Sequence, residues 1–217
     1  MRYNFIMDIV KYLIDAYGYN TPILLRDIRI GGKSKSSIKE DLYRAVKAGK
    51  LVRDGHGIYF IPGNKQFGNV VTFEKVLETK FINPKNISLG IEYLNIQGYY
   101  SGLTFLNMIG ISTQVPAILD VTTNKTKSKK RLYIWNKMWA YIRKPRTTIT
   151  SENYKILQFL DMFYYIEKWE FPKYKKRLKK YIINNKFTKE QFNKYIQFYD
   201  GKTLKNIQEM NIEELFE

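Results

Sequence analysis

Apolar residues recur at three- and four-residue spacing at the start of the chain, which is the pattern of an amphipathic helix. The spacing predicts a first helix over residues 3–17, and Gly18 ends it. Thr21-Pro22 then supplies a capping residue followed by a proline at the first helical position. We therefore expect a second, short helix over 22–30.

A third helix is expected after the tight turn at Gly31-Gly32 and a run of serines. Ser37, with a glutamate three residues later, has the form of a capping box, and Ser34 is the alternative cap one turn earlier. Gly49 closes this helix. Its predicted buried face consists of Ile38, Leu42, Ala45 and Val46.

Two short apolar runs, 50–53 and 58–61, flank the turn 54–57, which carries glycine at alternate positions and predicts a β-hairpin. Three helices followed by such a hairpin make a winged helix-turn-helix. Residues 1–62 are therefore expected to be a DNA-binding domain of that class.

A polar linker over 63–70 precedes residues 71–217, which we expect to form a mixed α/β domain with a helical C-terminal part, so that the whole chain is α+β. Gly102 is expected to allow the close approach of a neighbouring element. The predicted elements are a helix over 71–81, a buried helix over 100–110, strands over 117–123, 131–135 and 138–143, and helices from 151 onward with a capping box at Thr188 and Gln191.

The sequence carries 37 lysines and arginines against 20 aspartates and glutamates, a formal charge of +17. Phosphate neutralisation supplies most non-specific affinity for nucleic acids, so this charge and the helix pattern together point to double-stranded DNA. The sequence has no cysteine, which removes disulfides and thiolate metal sites, and its single histidine removes His-rich metal sites. We expect no cofactor and no metal.

Asp8 and Lys11 interrupt any apolar segment of a signal peptide. Residues 93–119 carry no charge, but their polar residues and glycines argue against a membrane helix. A cytoplasmic protein without a membrane partner is the expectation.

The exposed face of the third helix carries the hydrogen-bond donors that would meet DNA. The predicted DNA contacts are Lys33, Ser34, Lys35, Ser36, Lys39, Tyr43, Arg44 and Lys47, with Arg53 and His56 from the hairpin. A secondary basic surface is predicted at Lys127, Lys129, Lys130, Arg131, Lys175, Lys176 and Arg177. Solvated surface is the alternative explanation of each basic run.

Aromatic residues interleave with lysines in the last third of the chain, at Tyr164, Tyr165, Trp169, Phe171, Tyr174 and Tyr181. They form either a stacking platform for single strands or a core over which lysines extend to solvent.

The run Tyr100-Ser101-Gly102 through Leu106 to Gly110-Ile111-Ser112-Thr113-Gln114-Val115-Pro116, followed by a strand and Thr123-Asn124, resembles the AbiEi-type antitoxins of abortive-infection (type IV toxin–antitoxin) loci. The resemblance extends back through Gly32-Lys33-Ser34 and Gly57-Ile58-Tyr59, over roughly residues 1–145. It implies that the front domain represses its own operon, at an operator that is an inverted repeat. It also implies that the back domain counters a nucleotidyltransferase-like toxin, with or without a stable contact. The family carries no catalytic residues, so the resemblance implies none here.

Signatures of enzymes are few. Glu78-Thr79-Lys80 has the E-x-K form of metal-dependent nucleases, but a helical ion-pair surface explains it more simply. Nucleotidyl transfer needs clustered carboxylates, and Asp120 has no partner nearby. We expect no enzymatic activity. The alternative to an antitoxin is a winged-helix plasmid or phage regulator, or an architectural nucleic-acid-binding protein, without antitoxin activity.

Overall fold

The computed structural model describes residues 8–55, 57–63, 71–83 and 96–216. The chain divides into two compact units: the first holds the described residues up to Lys80, and the second holds 81–83 and 96–216. Helices and two sheets are present, so the predicted α+β class is confirmed. Within the described ranges, no helix is long and apolar enough to cross a membrane. The predicted linker over 63–70 lies outside the described residues except for Gly63.

The first unit joins helices to a small antiparallel sheet with the strand order β1-β3-β2. Its core contains Leu13 from the first helix, Leu42 from the second and Tyr59 from the sheet. The elements are α1 (Ile9–Tyr17), β1 (Ile23–Leu24), a 3-10 turn (Leu25–Asp27), α2 (Lys35–Lys47), β2 (Val52–Arg53), β3 (Ile58–Phe60) and α3 (Phe73–Leu77), which continues as a π-helical turn (Glu78–Ile82).

Capping residues set the ends of the two longer helices of this unit. Asp8 accepts a hydrogen bond from the Val10 amide and starts α1, so the predicted helix is found from residue 9, and the predicted part over 3–7 lies outside the described residues. Ser34, not Ser37, caps α2, because its hydroxyl accepts a hydrogen bond from the Ser37 amide at 3.2 Å. Gly49 closes α2 as predicted, with φ at +70°.

The predicted helix over 22–30 is wrong. Ile23 and Leu24 instead pair with Tyr59 and Ile58 of β3, and the Leu25 amide continues the pairing to the Gly57 carbonyl at 2.9 Å. The start signal at Pro22 is local, whereas the sheet supplies hydrogen bonds and buries both apolar side chains. Only the 3-10 turn remains of the expected helix.

The predicted hairpin is present. Val52 pairs with Phe60 and Arg53 pairs with Tyr59, and the Asp54 amide donates to the Ile58 carbonyl at 2.9 Å. The glycines on either side of the turn tip have positive φ, as the sequence pattern requires. His56, at the tip, lies outside the described residues.

The second unit is built on a four-stranded sheet of order β4-β5-β7-β6, in which only β5 and β7 run parallel. The β6–β7 hairpin turns at Asn136-Lys137, whose φ angles of 45° and 63° are those of a type I′ turn. The elements are β4 (Gly98–Tyr100), α4 (Gly102–Met108), β5 (Ile118–Thr123), β6 (Lys130–Trp135) and β7 (Met138–Arg143). The predicted strands are therefore confirmed, while the predicted helix over 100–110 begins after a short strand.

Helices make up the rest of the second unit, as predicted from residue 151 onward. Their core centres on Phe159, whose ring lies 5.2 Å from that of Phe163 and 6.0 Å from that of Tyr181. The predicted capping box of Thr188 and Gln191 is present. The helices are α5 (Tyr154–Asp161), α6 (Phe171–Asn184), α7 (Lys189–Ile196) and α8 (Gly201–Glu209), with 3-10 turns at Met162–Tyr164 and Ile212–Phe216.

Buried polar side chains join the sheet of the second unit to its helices. The Tyr99 hydroxyl donates to Asp161 Oδ2 at 2.8 Å, and the Thr122 hydroxyl lies 3.5 Å from the same oxygen. Asp120, which the sequence offered as an isolated carboxylate, forms an ion pair with Arg143, whose Nε is 2.8 Å from Asp120 Oδ1. The sequence does not predict the ion pair of Asp120 or the hydrogen bond of Asp161, because in each case the partner lies on another element.

Gly102 sits where the first turn of α4 passes over Asp120. An ideal Cβ at this position would lie 2.9 Å from Asp120 Oδ2 and 3.2 Å from Tyr165 Cζ, and φ is +58°. The predicted close approach is therefore present, and a side chain here is both strained and crowded.

We expect Gly102→Ala to lower the free energy of unfolding of the second unit by about 1–3 kcal/mol, because it adds both backbone strain and overpacking. All three tryptophans of the sequence, Trp135, Trp139 and Trp169, lie in this unit, so urea unfolding followed by tryptophan fluorescence reports on it. Leu103→Ala, at the next and exposed position of α4, is the matched control and should cost less. Unchanged unfolding of the glycine variant would contradict the close approach.

Burial raises the pKa of Asp161 above its ordinary value, and the hydrogen bond from Tyr99 only partly offsets it. A carboxyl with a raised folded-state pKa stabilises the fold most below its ordinary pKa of about 3.9, and this stability is lost as the pH rises. Asp161→Asn keeps an oxygen that can accept from Tyr99 but cannot ionise. Its stability relative to wild type should therefore increase as the pH rises from about 4 to 7.

Urea unfolding at a series of pH values measures this difference, and Glu152→Gln, at an exposed position, serves as the control. A difference between Asp161→Asn and wild type that does not change with pH would show that Asp161 ionises as readily in the folded chain as in the unfolded one.

Candidate nucleic-acid interface

One face of α2 carries polar and basic side chains in helical register. Ser36, Lys39, Tyr43 and Lys47 are separated by three, four and four residues, so they line one stripe of the helix, and all four are exposed. The opposite stripe, with Ile38, Leu42 and Ala45, is buried in the core, as predicted. The core therefore fixes which face α2 presents to solvent.

The lysines of this face have no acidic partner. Among the described residues, no carboxylate lies within ion-pair distance of Lys35, Lys39 or Lys47. The described part of the chain therefore leaves their charge available to an anion such as a phosphate.

Two other predicted contacts already have partners. Lys33 forms a half-buried ion pair with Asp41, which commits its ammonium to the protein. Arg44 Nε lies 3.6 Å from Glu40 Oε1, and Arg44 Nη2 lies 3.5 Å from Asp41 Oδ1, but the Arg44 side chain remains 68% exposed. Exposed pairs of this kind contribute only about 0–1 kcal/mol, so Arg44 can exchange its partners for a phosphate, whereas Lys33 is less free to do so.

The remaining predicted contacts have different roles. Ser34 uses its hydroxyl to cap α2, and its Oγ also lies 2.9 Å from Ser36 Oγ. Arg53 is exposed on β2, in the hairpin whose residues Tyr59 and Ile61 share the core with α2. The hairpin and α2 are thus held by one core, which places Arg53 on the same rigid unit as the basic stripe.

Sequence reasoning missed Arg26 and Arg29, because it assigned them to a helix that does not form. Arg26 lies in the 3-10 turn after β1, and Arg29 lies in the segment that leads to α2. Both are exposed, and they line a cavity together with Lys35 and Lys39 of α2. The basic character of this region therefore extends beyond α2. To find these two arginines, the sequence analysis would have had to predict that β1 replaces the start of the expected helix.

The secondary basic surface lies on two different elements of the second unit. Lys127 and Lys129 precede β6, and all the predicted residues of both groups are exposed. Lys130 Nζ lies 3.4 Å from the centre of the Tyr141 ring, which holds that ammonium against the sheet. On α6, Lys175 lies 4.0 Å from Glu214.

The interleaved aromatic residues belong mostly to the core. Phe171 is buried, and Tyr165, Tyr174 and Tyr181 pack against the core of the second unit. Tyr164 and Trp169 are exposed, and Lys173 Nζ lies 5.4 Å from the centre of the Trp169 ring. Of the six aromatic residues named for a stacking platform, only Tyr164 and Trp169 therefore have exposed side chains.

The candidate enzymatic residues belong to different elements. Glu78 and Lys80 lie on the π-helical turn that follows α3, while Asp120 is paired with Arg143 on the sheet of the second unit. In the part of the chain that the structure describes, no group of three acidic or histidine side chains could hold a metal ion.

The chain matches no protein-family model, and no curated protein is significantly similar to it. What bears on its function is therefore the geometry of α2 and the resemblance carried by the sequence.

Proposed function

We propose that the chain binds duplex DNA through the exposed face of α2 and acts as the antitoxin and transcriptional autorepressor of a type IV, AbiE-like toxin–antitoxin operon. The observation that carries the DNA-binding part is the stripe Ser36–Lys39–Tyr43–Lys47, with Lys35 at its start, whose lysines have no acidic partner among the described residues. Hydrogen-bond donors in helical register on a rigid helix are what a recognition helix offers to base edges and phosphates.

The dimensions of α2 support this role. Its 13 residues give it a length of roughly 20 Å, and a B-DNA major groove, about 12 Å wide, admits one helix. The side chains of the stripe occupy the face away from the core, so the helix can enter a groove without disturbing the packing of the first unit.

We interpret the first unit as a variant of the winged helix. α2 takes the place of the recognition helix, and the β2–β3 hairpin, paired with β1, takes the place of the wing. The element before α2 is the 3-10 turn Leu25–Asp27 rather than a regular helix. The contact that this element usually makes with the DNA backbone falls instead to Arg26 and Arg29, which are exposed at the corresponding position.

The antitoxin part of the proposal depends on the resemblance of residues 100–124 to AbiEi-type antitoxins. These residues build the end of β4, α4 and β5, in the second unit, whereas α2 lies in the first. Because compact units with their own cores can act separately, we assign operator binding to the first unit and the countering of a nucleotidyltransferase-like toxin to the second.

The double variant Lys39→Glu/Lys47→Glu should weaken binding to a duplex from upstream of the gene by at least about tenfold at fixed salt, because two donors are removed and two repulsive charges are added. The slope of log affinity against log salt concentration should also become shallower, by about 0.9 for each phosphate that the variant no longer neutralises. Fluorescence anisotropy with a labelled duplex measures both quantities.

Lys11→Glu/Lys75→Glu is the matched control, since it makes the same charge change at exposed positions of α1 and α3 in the same unit. The control should retain most of the affinity. If both double variants weaken binding equally, the duplex responds to net charge alone and α2 is not the reader.

Co-expression with the neighbouring toxin gene tests the antitoxin part. We expect the full chain to restore growth, and the Lys39→Glu/Lys47→Glu variant to restore growth while losing repression of its own promoter, because its second unit is intact. Gly102→Ala should do the opposite, repressing normally but protecting less well as the temperature rises, because it destabilises the second unit. Failure of the wild-type chain to protect would leave a DNA-binding regulator without antitoxin activity.

A further inference from the structure

The first unit contains a cavity of about 440 Å³ beside the basic stripe of α2. Its walls come from β1 and the 3-10 turn, from the segment leading to α2, from α2 itself, from Gly57 in the hairpin and from Lys80 in the π-helical turn. The volume lies within the range of about 300–1,000 Å³ that is typical of sites for small organic molecules. A phosphate group alone would leave most of it empty.

The cavity has an apolar lining. Leu24, Leu25, Ile28 and Ile38 contribute to its walls, and three of them are buried in the fold, with relative exposures of 5% or less for Leu24, Ile28 and Ile38. Such walls bind a hydrocarbon surface by removing it from water.

The polar part of the lining is entirely basic. Arg26, Arg29, Lys35 and Lys39 line the cavity, and none of its lining residues is acidic. Arg29 Nη1 donates only to backbone carbonyls, those of Arg26 and Ile28, at 2.5 and 2.9 Å. Arg26 Nε lies 3.6 Å from Asp27 Oδ1. Among the described residues, this is the single acidic partner of the two arginines and the two α2 lysines. The cavity therefore combines apolar walls with basic side chains of which Arg29, Lys35 and Lys39 have no acidic partner among the described residues.

We propose that this cavity binds a small organic anion, with a carboxylate, sulfonate or phosphate group held by Arg29 and the α2 lysines and a hydrocarbon body held by the leucine and isoleucine side chains. Lys35 and Lys39 line the cavity and also lie on the face of α2 assigned to DNA. The bound anion therefore competes with duplex DNA, and the cavity is a site at which a metabolite of this class relieves repression. The competition rests on the proposed DNA-binding function, whereas binding of the anion does not.

The test uses the full-length protein and the dye 8-anilinonaphthalene-1-sulfonate, an aromatic sulfonate whose fluorescence rises in apolar surroundings. At an ionic strength of about 0.15 M, where distant charges are screened, the dye should bind saturably with one site per chain. Arg29→Gln should weaken its affinity about five- to tenfold, because it removes a hydrogen bond to a charged group. Leu25→Trp should weaken it similarly by filling the cavity.

Lys47→Gln is the matched control, because it removes one positive charge from α2 outside the cavity lining and should leave the dye affinity unchanged. Circular dichroism confirms that each variant is folded. Equal dye affinity of wild type, Arg29→Gln and Leu25→Trp, or an equal loss in Lys47→Gln, overturns the site. Displacement of the dye by inorganic phosphate at the same concentration overturns the role of the hydrocarbon body, and failure to displace it supports that role.

The second part of the test is a competition experiment between the dye and the duplex. Addition of the duplex should release the dye from the wild-type protein, and the dye should lower the affinity for the duplex by the same factor, because linkage between two ligands is reciprocal. Simultaneous binding of dye and duplex overturns the competition. Leu25→Trp, which fills the cavity and keeps its basic side chains, should lose the effect of the dye while still binding the duplex. If the chain fails to bind DNA at all, the proposed function fails, yet the dye titrations still decide whether the cavity is an anion site.

Discussion

The pairing of Ile23 and Leu24 with β3 is the interaction on which the first unit depends. It takes the chain out of the helix that Pro22 would start, continues through the hydrogen bond from the Leu25 amide to the Gly57 carbonyl, and brings the hairpin against the core that supports α2. The residues that follow, the 3-10 turn and the chain leading to α2, line the cavity beside α2 and include two exposed arginines. The candidate interface and the candidate anion site therefore both depend on the residue pairs that join β1 to β3.

The positive charge of this protein is informative only when the ion-pair partners of its basic side chains are known. The formal charge of +17 indicates an anionic partner, but Lys33 is committed to Asp41, and Arg44 shares two carboxylates. On α2, by contrast, Lys35, Lys39 and Lys47 have no acidic partner among the described residues, and they lie on the same side of the helix. A local surplus on a rigid helix, rather than the net charge, is what favours a specific contact with phosphates and bases.

The second unit is organised by the burial of polar groups. Two buried aspartates lie where the sheet meets the helices: Asp120 on β5 is balanced by Arg143, and Asp161 at the end of α5 accepts a hydrogen bond from Tyr99 on β4. Gly102 belongs to the run that resembles the AbiEi-type antitoxins, and its place above Asp120 gives that residue a structural role. Gly102 therefore marks a packing constraint, independently of whatever partner the unit binds.

The sequence by itself determined the elements whose signals are local. The closing glycines of α1 and α2, the glycine-rich hairpin, the capping box of α7 and the alternation of β5 to β7 are encoded within a few residues, and the structure contains all of them. The cap of α2 is Ser34, the alternative to Ser37 that the sequence also offered. Only the tertiary structure decided the fate of residues 22–30, the partners of Lys33 and Asp120, and the cavity lined by Arg29. In each of these cases the deciding hydrogen bond or ion pair comes from an element elsewhere in the chain. No local pattern records which groups folding will bring within reach, so the free energy of those contacts overrides the local preference.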